Sequence, residues 1–414
     1  MRLLYNLFIS VYHLLIRVDA FFNTKAKKWV KGRRHLFSRL KEAIPKNEKL
    51  LWFHCASLGE FEQGRSVMEA LRVYYPGHKI LLTFFSPSGY DVRKNYKGAD
   101  YIFYLPMDTS RNARKFIRIT KPRMAFFIKY EFWFNYINEL SKNKIPLVFV
   151  SVAFRGSQHF FQPWGKWPRR QLQKVTWFFV QNQTSLDLLN NIRVYHAEVS
   201  GDTRFDRVAR LADEYRDIPF VSRFKDDLPL IVAGSTWPAD EEVLLGMMEK
   251  PGKNFKLIIA PHEVHSGNIK NLTVKFRQFH PLLFSETDTD SLLKSQVLII
   301  DNIGFLSYLY RFATIAYIGG GFGAGIHNIL EAATYGVPVI FGPKYHKFIE
   351  ALELIKLKGA FVVRDSEEMM ETVETLLGSK EKYAVAAHAA GQYVKSNAGA
   401  TQLVIDKAAE FLVS

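Results

Sequence analysis

Three stretches of this chain put groups able to do chemistry where a strand should turn into a helix. In the first, the apolar run LLWFHCA (50–56) leads into Ser57-Leu58-Gly59-Glu60 and a helical pattern to about Tyr74. A carboxylate there meets free N–H groups and a helix dipole that favour its ionised form. Facing a cleft, it can take a proton from an acceptor hydroxyl, and Gly59 lets a ligand approach the backbone closely. Glu60 also fits a helix-capping role with no chemistry, and spacing alone favours that simpler reading.

The second stretch is Gly319-Gly320-Gly321-Phe322-Gly323-Ala324-Gly325, between the run TIAYI and the helical pattern HNILEAATYG. Glycines at a strand–helix turn expose N–H groups, and with a helix N-terminus they can cradle phosphate. A ligand-binding loop is favoured over a flexible turn. Ala324 and Ile326 break the G-x-G-x-x-G spacing, and G-x-x-x-x-G-K-[ST] is absent, so neither a dinucleotide nor a P-loop nucleotide is supported. Glu331 on the following helix can bind ribose hydroxyls, or serve only the helix dipole. The third stretch, LPLIVAGSTW (228–237), ends in Gly234, Ser235 and Thr236. Its hydroxyls fit phosphate binding and N-capping of a helix over 240–248 equally well.

Other patterns point away from chemistry. Pro261-His262-Glu263-Val264-His265 falls one residue short of the metalloprotease spacing, so zinc is unsupported. Asp288-Thr289-Asp290 lies in the polar stretch SETDTDS and reads as a solvated turn. Cys55, inside an apolar strand beside His54, reads as a buried structural thiol.

The elements that must position these groups alternate. Apolar runs at 50–56, 79–85, 101–106, 123–128, 146–152, 177–182 and 196–201 read as strands separated by helical patterns. A second series follows at 228–234, 256–261, 296–301, 314–320, 338–343 and 360–364. Such alternation predicts α/β, doubly wound parallel sheets. The polar, charged stretch between the two series reads as a linker at 208–227. The expected organisation is an anchoring segment (1–35), a first Rossmann-like domain (36–207), the linker, and a second Rossmann-like domain (228–414). Two such halves facing a cleft describe a GT-B-like architecture, with ligands near the carboxyl ends of the strands.

The N-terminus and the charge narrow the partners. Residues 3–16 (LLYNLFISVYHLLI) carry no charge. As a helix they span about 21 Å, short of the ~30 Å bilayer core. Leu4, Leu7, Phe8, Val11, Leu14 and Leu15 share one face, and a cationic run follows: Lys25, Lys27, Lys28, Lys31, Arg33 and Arg34, with Trp29 inside it. This suits an anionic cytoplasmic leaflet better than a signal peptide. A core helix and a marginal span stay open. Net charge is +16 over 414 residues, which predicts an anionic partner: nucleic acid, membrane or phosphorylated substrate. One cysteine excludes an intramolecular disulfide.

Taken together, these residues resemble the bacterial 3-deoxy-D-manno-octulosonic acid (Kdo) transferases over nearly the whole chain. The run H-C-A-S-L-G-E (54–60) looks like that family's catalytic motif, which implies that Glu60 is the general base. Tyr130-Glu131-Phe132-Trp133-Phe134-Asn135 is similar to its E-L-W-P-N, which gives Glu131 a role in transition-state stabilisation. Ser200-Gly201-Asp202-Thr203-Arg204-Phe205-Asp206 is similar to its G-x-x-[KR]-F-D, implying that Arg204 brings positive charge to the reacting centre. On the donor side the resemblance points to Pro261 and His262 (His where the family has Arg), to Asn302, Ile303 and Gly304, and to Asn328, Ile329 (for Pro), Leu330 and Glu331.

The resemblance implies an inverting, metal-independent transferase that needs no cofactor. It would take Kdo from CMP-Kdo to a lipid A precursor, lipid IVA, at the cytoplasmic face of the inner membrane. Its partners would be those two substrates and an anionic membrane surface, with no nucleic acid expected. Two alternatives remain at this point: a GT-B glycosyltransferase using another nucleotide sugar, and a non-enzymatic basic membrane-binding protein.

Overall fold

Fourteen short strands build two separate parallel sheets, each wrapped by helices, in a computed structural model that describes residues 1–214, 218–252, 254–286 and 291–412. The chain divides into two compact units, one of Met1–Arg207 with Ala398–Ser414, the other of Val208–Asn397.

In the first unit the strands are β1 (Leu50–Cys55), β2 (Lys79–Phe84), β3 (Tyr101–Tyr104), β4 (Met124–Ile128), β5 (Leu147–Val152), β6 (Trp177–Val180) and β7 (Ala197–Val199). Their order across the sheet is β3-β2-β1-β4-β5-β6-β7. β1 is buried along its whole length because helices cover both faces of a parallel sheet. Leu51, Phe53 and Cys55 face one core, and Leu50 and Trp52 face the other. The second unit repeats the scheme with β8 (Leu230–Thr236), β9 (Lys256–Pro261), β10 (Leu282–Leu283), β11 (Val297–Ile299), β12 (Ile315–Ile318), β13 (Val339–Phe341) and β14 (Ala360–Val362). The order is β10-β11-β9-β8-β12-β13-β14. The strand order reverses between β1 and β4 in one sheet and between β8 and β12 in the other. In sheets of this kind ligands bind at such a switch point, outside the carboxyl ends of the strands.

Three expectations need correction. The stretch 208–227 is not an open linker. It contains the end of the Arg204–Asp213 helix and all of the Pro219–Lys225 helix. Val208, Leu211, Val221 and Phe224 are buried, and this three-residue apolar spacing was masked by the charges between them. The second domain does not run to the C-terminus either. Val404, Ile405 and Ala408 of the Ala400–Leu412 helix join the core of the first unit beside Leu51, Phe53, Val67 and Leu71. Asp206 accepts the N–H groups of Gly399 and Thr401 at that helix's start. Finally, the helix expected over HNILEAATYG shrinks to Leu330–Ala333.

The N-terminal Arg2–Asp19 helix buries only Ile9. It is held to the first unit by Tyr5, whose hydroxyl donates to Asp108 at 2.5 Å, and by Asn6, whose Oδ1 accepts from Asn135 Nδ2 at 2.9 Å. One member of the cationic run, Arg33, is turned inward with the tryptophan beside it. Trp29 is buried, and the guanidinium of Arg33 stacks on it at 3.6 Å while donating to the carbonyls of Leu105 and Phe85. Burial lowers the Arg33 pKa to about 9. No single helix is long and apolar enough to cross a membrane among the described residues. Arg2–Asp19 and Thr24–Gly32 pass that test only as a pair bent by 119°.

Candidate active site

At the end of β1 the chain turns through Ser57 into the Leu58–Tyr74 helix, and Ser57 and Glu60 form a reciprocal capping box. Glu60 Oε2 accepts the Ser57 N–H at 3.0 Å and the Ser57 hydroxyl. The capping role weighed against chemistry is therefore present, but it occupies one oxygen. Oε1 has no hydrogen-bond partner among the described residues.

Glu131 lies in the loop after β4, across the switch point. Its Oε2 accepts from Trp133 Nε1 at 2.7 Å and lies 3.3 Å from His54 Nε2. Glu60 and Glu131 both act on the buried Cys55. The Cys55 thiol is pushed well above its ordinary pKa, first by burial and then by the charges of Glu60, Glu131 and Glu62. Cys55 is accordingly inert packing, as expected.

The Ser200–Asp206 stretch docks on the same helix. Thr203 donates to the Gln63 carbonyl, and Ser66 donates to the Thr203 carbonyl at 3.2 Å. Buried Asp202 accepts from Gln63 and Gln181 at 2.9 and 3.0 Å, and from Arg204 Nε at 3.0 Å. Arg204 is thus held in place by a carboxylate that offsets part of its charge. The structure brings Glu60, Glu131 and the Asp202–Arg204 pair to one end of the first sheet.

In the second unit the candidates gather at the ends of β8, β9 and β12. Pro261 ends β9, and the His262 N–H donates to the Thr236 carbonyl at 2.9 Å. The His262 ring stacks with Trp237 at 4.6 Å and with His327 at 4.5 Å. Trp237 Nε1 donates to His327 Nε2 at 3.0 Å, which puts the proton of neutral His327 on Nδ1. Burial and then His262 lower the His327 pKa. Asn302, exposed Ile303 and Gly304 (φ +99°) form the turn after β11, and Asn302 Oδ1 is buried with no hydrogen-bond partner among the described residues. Asn328 Nδ2 donates to Glu331 Oε1 at 3.1 Å. Thr236 reaches Glu241 at 3.4 Å, and Ser235 has φ +55°.

The glycine loop is less available to a ligand than its sequence suggests. Gly319 and Gly320 donate to Gly234 O and Asp240 Oδ2, and Gly323 and Gly325 both donate to Gly320 O. Much of the glycine richness answers to packing. A Cβ on Gly319 would lie 2.3 Å from Ser235 O, and one on Gly321 2.5 Å from Gly342 N. Both obstacles are backbone, so Gly319→Ala should destabilise the second unit by about 1–3 kcal/mol, read as a lower melting temperature.

Among the described residues no group of three or more His, Cys, Asp or Glu could hold a metal ion. His265 serves as a helix N-cap, accepting the Asn268 N–H at 3.1 Å. Asp288, Thr289 and Asp290 lie outside the described residues. Sequence reasoning missed His54, Trp237, Asp240 and His327, whose partners are far away along the chain.

Residues 31–207 match the family described as 3-deoxy-D-manno-octulosonic-acid transferase (kdotransferase). A 3-deoxy-D-manno-octulosonic acid transferase of Aquifex aeolicus is 27% identical over 351 residues, 83% of this chain and 91% of that protein. One from Haemophilus influenzae is 27% identical over 378 residues, 86% of each. Among solved structures, a UDP-GlcNAc 2-epimerase from Neisseria meningitidis superposes with TM-score 0.60 at 16% identity, over 87% of this chain and 100% of that one. A glycosyltransferase from Rickettsia africae gives 0.57 at 13%, over 88% and 99%. At these identities the likeness is one of fold, and that fold is the GT-B type expected.

Proposed function

This chain belongs to the Kdo transferase family and is a glycosyltransferase, and from that premise we propose that it transfers Kdo from CMP-Kdo to a lipid A precursor, lipid IVA. The observation that carries the proposal is the grouping of three side chains at the carboxyl end of the first sheet. Glu60, with one unengaged carboxylate oxygen, stands across the switch point from Glu131, and Arg204 is held at the same end of the sheet.

In the proposed reaction Glu60 Oε1 takes the proton of an acceptor hydroxyl as that oxygen bonds to the anomeric carbon of Kdo. The bond from this carbon to the CMP phosphate oxygen breaks on the opposite face. Configuration inverts and CMP leaves as a phosphate monoester. Glu131 stabilises the transition state, and Arg204 answers the sugar carboxylate. In the second unit, His262, the turn at Asn302–Gly304, Ser235, Thr236 and Asn328–Glu331 are proposed to hold CMP, without a metal. The apolar helix and basic segment are proposed to keep the protein on the cytoplasmic face of the inner membrane, where such an acceptor lies.

The test is transfer from CMP-Kdo, generated in situ, to a tetra-acylated lipid A precursor, followed by mass. Products heavier by one or more Kdo units are expected, at a rate that EDTA leaves unchanged. Turnover of a UDP-sugar with no product from CMP-Kdo would sink the proposal, and loss of activity with EDTA would sink its metal independence.

A further inference from the structure

Between the Arg2–Asp19, Thr24–Gly32 and Leu36–Ala43 helices lies a cavity of about 1040 Å³, its lining completed by Pro106, Met107 and Asn112. Five cations line it, Arg17, Lys27, Lys31, Arg33 and Arg34, and no Asp or Glu does. Arg33 is already occupied, stacked on Trp29 and donating to backbone carbonyls. The other four are exposed, and among the described residues none of them makes a hydrogen bond or ion pair through its side chain. Lys28, on the same segment but outside the cavity, does find a carboxylate, Asp91 at 2.8 Å. Like charges gathered without a counter-ion repel one another, and the effect reaches His13 in the wall. Its pKa is lowered first by burial and then by Arg17 and Arg33. An anion entering the cavity relieves that repulsion.

Most of the remaining lining is apolar, including Leu14, Val18, Val30, Leu36 and Phe37. A bare anion gains nothing from such a wall, whereas an acyl chain does. The wall also holds a donor short of an acceptor. Trp29 is 4% exposed, and its Nε1 is buried with no hydrogen-bond partner among the described residues. Phosphate and ester oxygens are acceptors. Leu14 is 61% exposed on the same helix as Leu7, Phe8 and Leu15, so a lipid touching that apolar face can reach the cavity. On the other side Trp29 and Met107 pack with Ile9, and Phe85 and Trp133 pack against them. None of Glu60, Glu131 and Arg204 lines the cavity.

We propose that this cavity binds one anionic phospholipid, its phosphate among Arg17, Lys27, Lys31 and Arg34 and an acyl chain along Leu14, Val18, Leu36 and Phe37. The lipid is held and not consumed, and it ties together three helices of which the first buries only Ile9. Its supply from a membrane rests on the placement proposed above. The binding itself is read without a membrane, so the two can fail separately.

The test is calorimetric titration of the full-length protein with dioctanoyl phosphatidylglycerol below its critical micelle concentration. One lipid per chain is expected, bound at least about 10-fold more tightly than dioctanoyl phosphatidylcholine, whose choline cancels the phosphate charge. Lys27→Ala, Lys31→Ala and Arg34→Ala combined should weaken binding about 10²-fold and melt like the wild type. Lys25→Ala with Lys28→Ala removes two cations outside the cavity and should leave binding unchanged. Absence of binding, equal binding of the two lipids, or equal loss in the two variants overturns the proposal. So does equal binding of inorganic phosphate, which would mark a site for free anions. One-for-one displacement of the lipid by a tetra-acylated lipid A precursor also overturns it, because the cavity would then be part of the acceptor site.

Discussion

Glu60→Gln should lower Kdo transfer by about 10²–10⁴-fold, the usual contribution of a general base, while the protein melts within about 0.5 kcal/mol of wild type. The two halves of this expectation separate because Glu60 has two jobs. Its Oε2 closes the capping box on Ser57, and a Gln at the third helical position closes the same box. The cap survives, and what disappears is a carboxylate able to take a proton. Glu60→Ala removes both and should cost about 1 kcal/mol of stability in addition. Initial rates and thermal melts of the two variants, side by side, decide the assignment. Wild-type transfer by Glu60→Gln would place the base elsewhere.

The strands were legible because both faces of a parallel sheet are covered, so each strand is a short uninterrupted apolar run. LLWFHC is buried from end to end, and no helix of that length needs to be. The short edge strand Leu282–Leu283 gave no such signal. The order of strands was legible only as a fold class, since it follows from crossovers and not from any single run. The return of Ala400–Leu412 to the first sheet could not be read at all. Val404, Ile405 and Ala408 make an apolar face that would suit either core.

The site divides in the same way. Glu60 was visible because its strand, turn and helix are contiguous. His54 was passed over because its partner Glu131 lies 77 residues on, and Trp237 and His327 are 90 residues apart. The glycine loop was read as a ligand cradle, but proximity to Ser235 and Gly342 explains much of its composition. Close backbone approach and phosphate binding select the same residue, so sequence cannot tell them apart.

Replacing Leu7, Phe8, Leu14 and Leu15 together with Ser should lower binding to anionic vesicles by at least about 10²-fold. The Arg2–Asp19 helix is fixed along one side by Tyr5, Asn6 and Ile9, and these four side chains are each 60–64% exposed on the rest of it. Beyond the helix end, Phe21 and Phe22 are 85% and 87% exposed. Full burial of four such side chains is worth roughly 6 kcal/mol or more, and half of that already gives the stated loss. The cations add attraction of about 1 kcal/mol each near an anionic surface. That count excludes Arg33, which is occupied inside the protein, and discounts Lys28, which pairs with Asp91 at 2.8 Å. Binding of the wild type should therefore weaken with salt yet persist, whereas the four-Ser variant, left with charge alone, should be released as salt rises. Co-sedimentation with vesicles containing anionic lipid, across a salt series, measures both. Because the four side chains contribute little to the folded core, the variant should melt like the wild type. Undiminished sedimentation of a folded variant would show that the helix face does not hold the protein on the membrane.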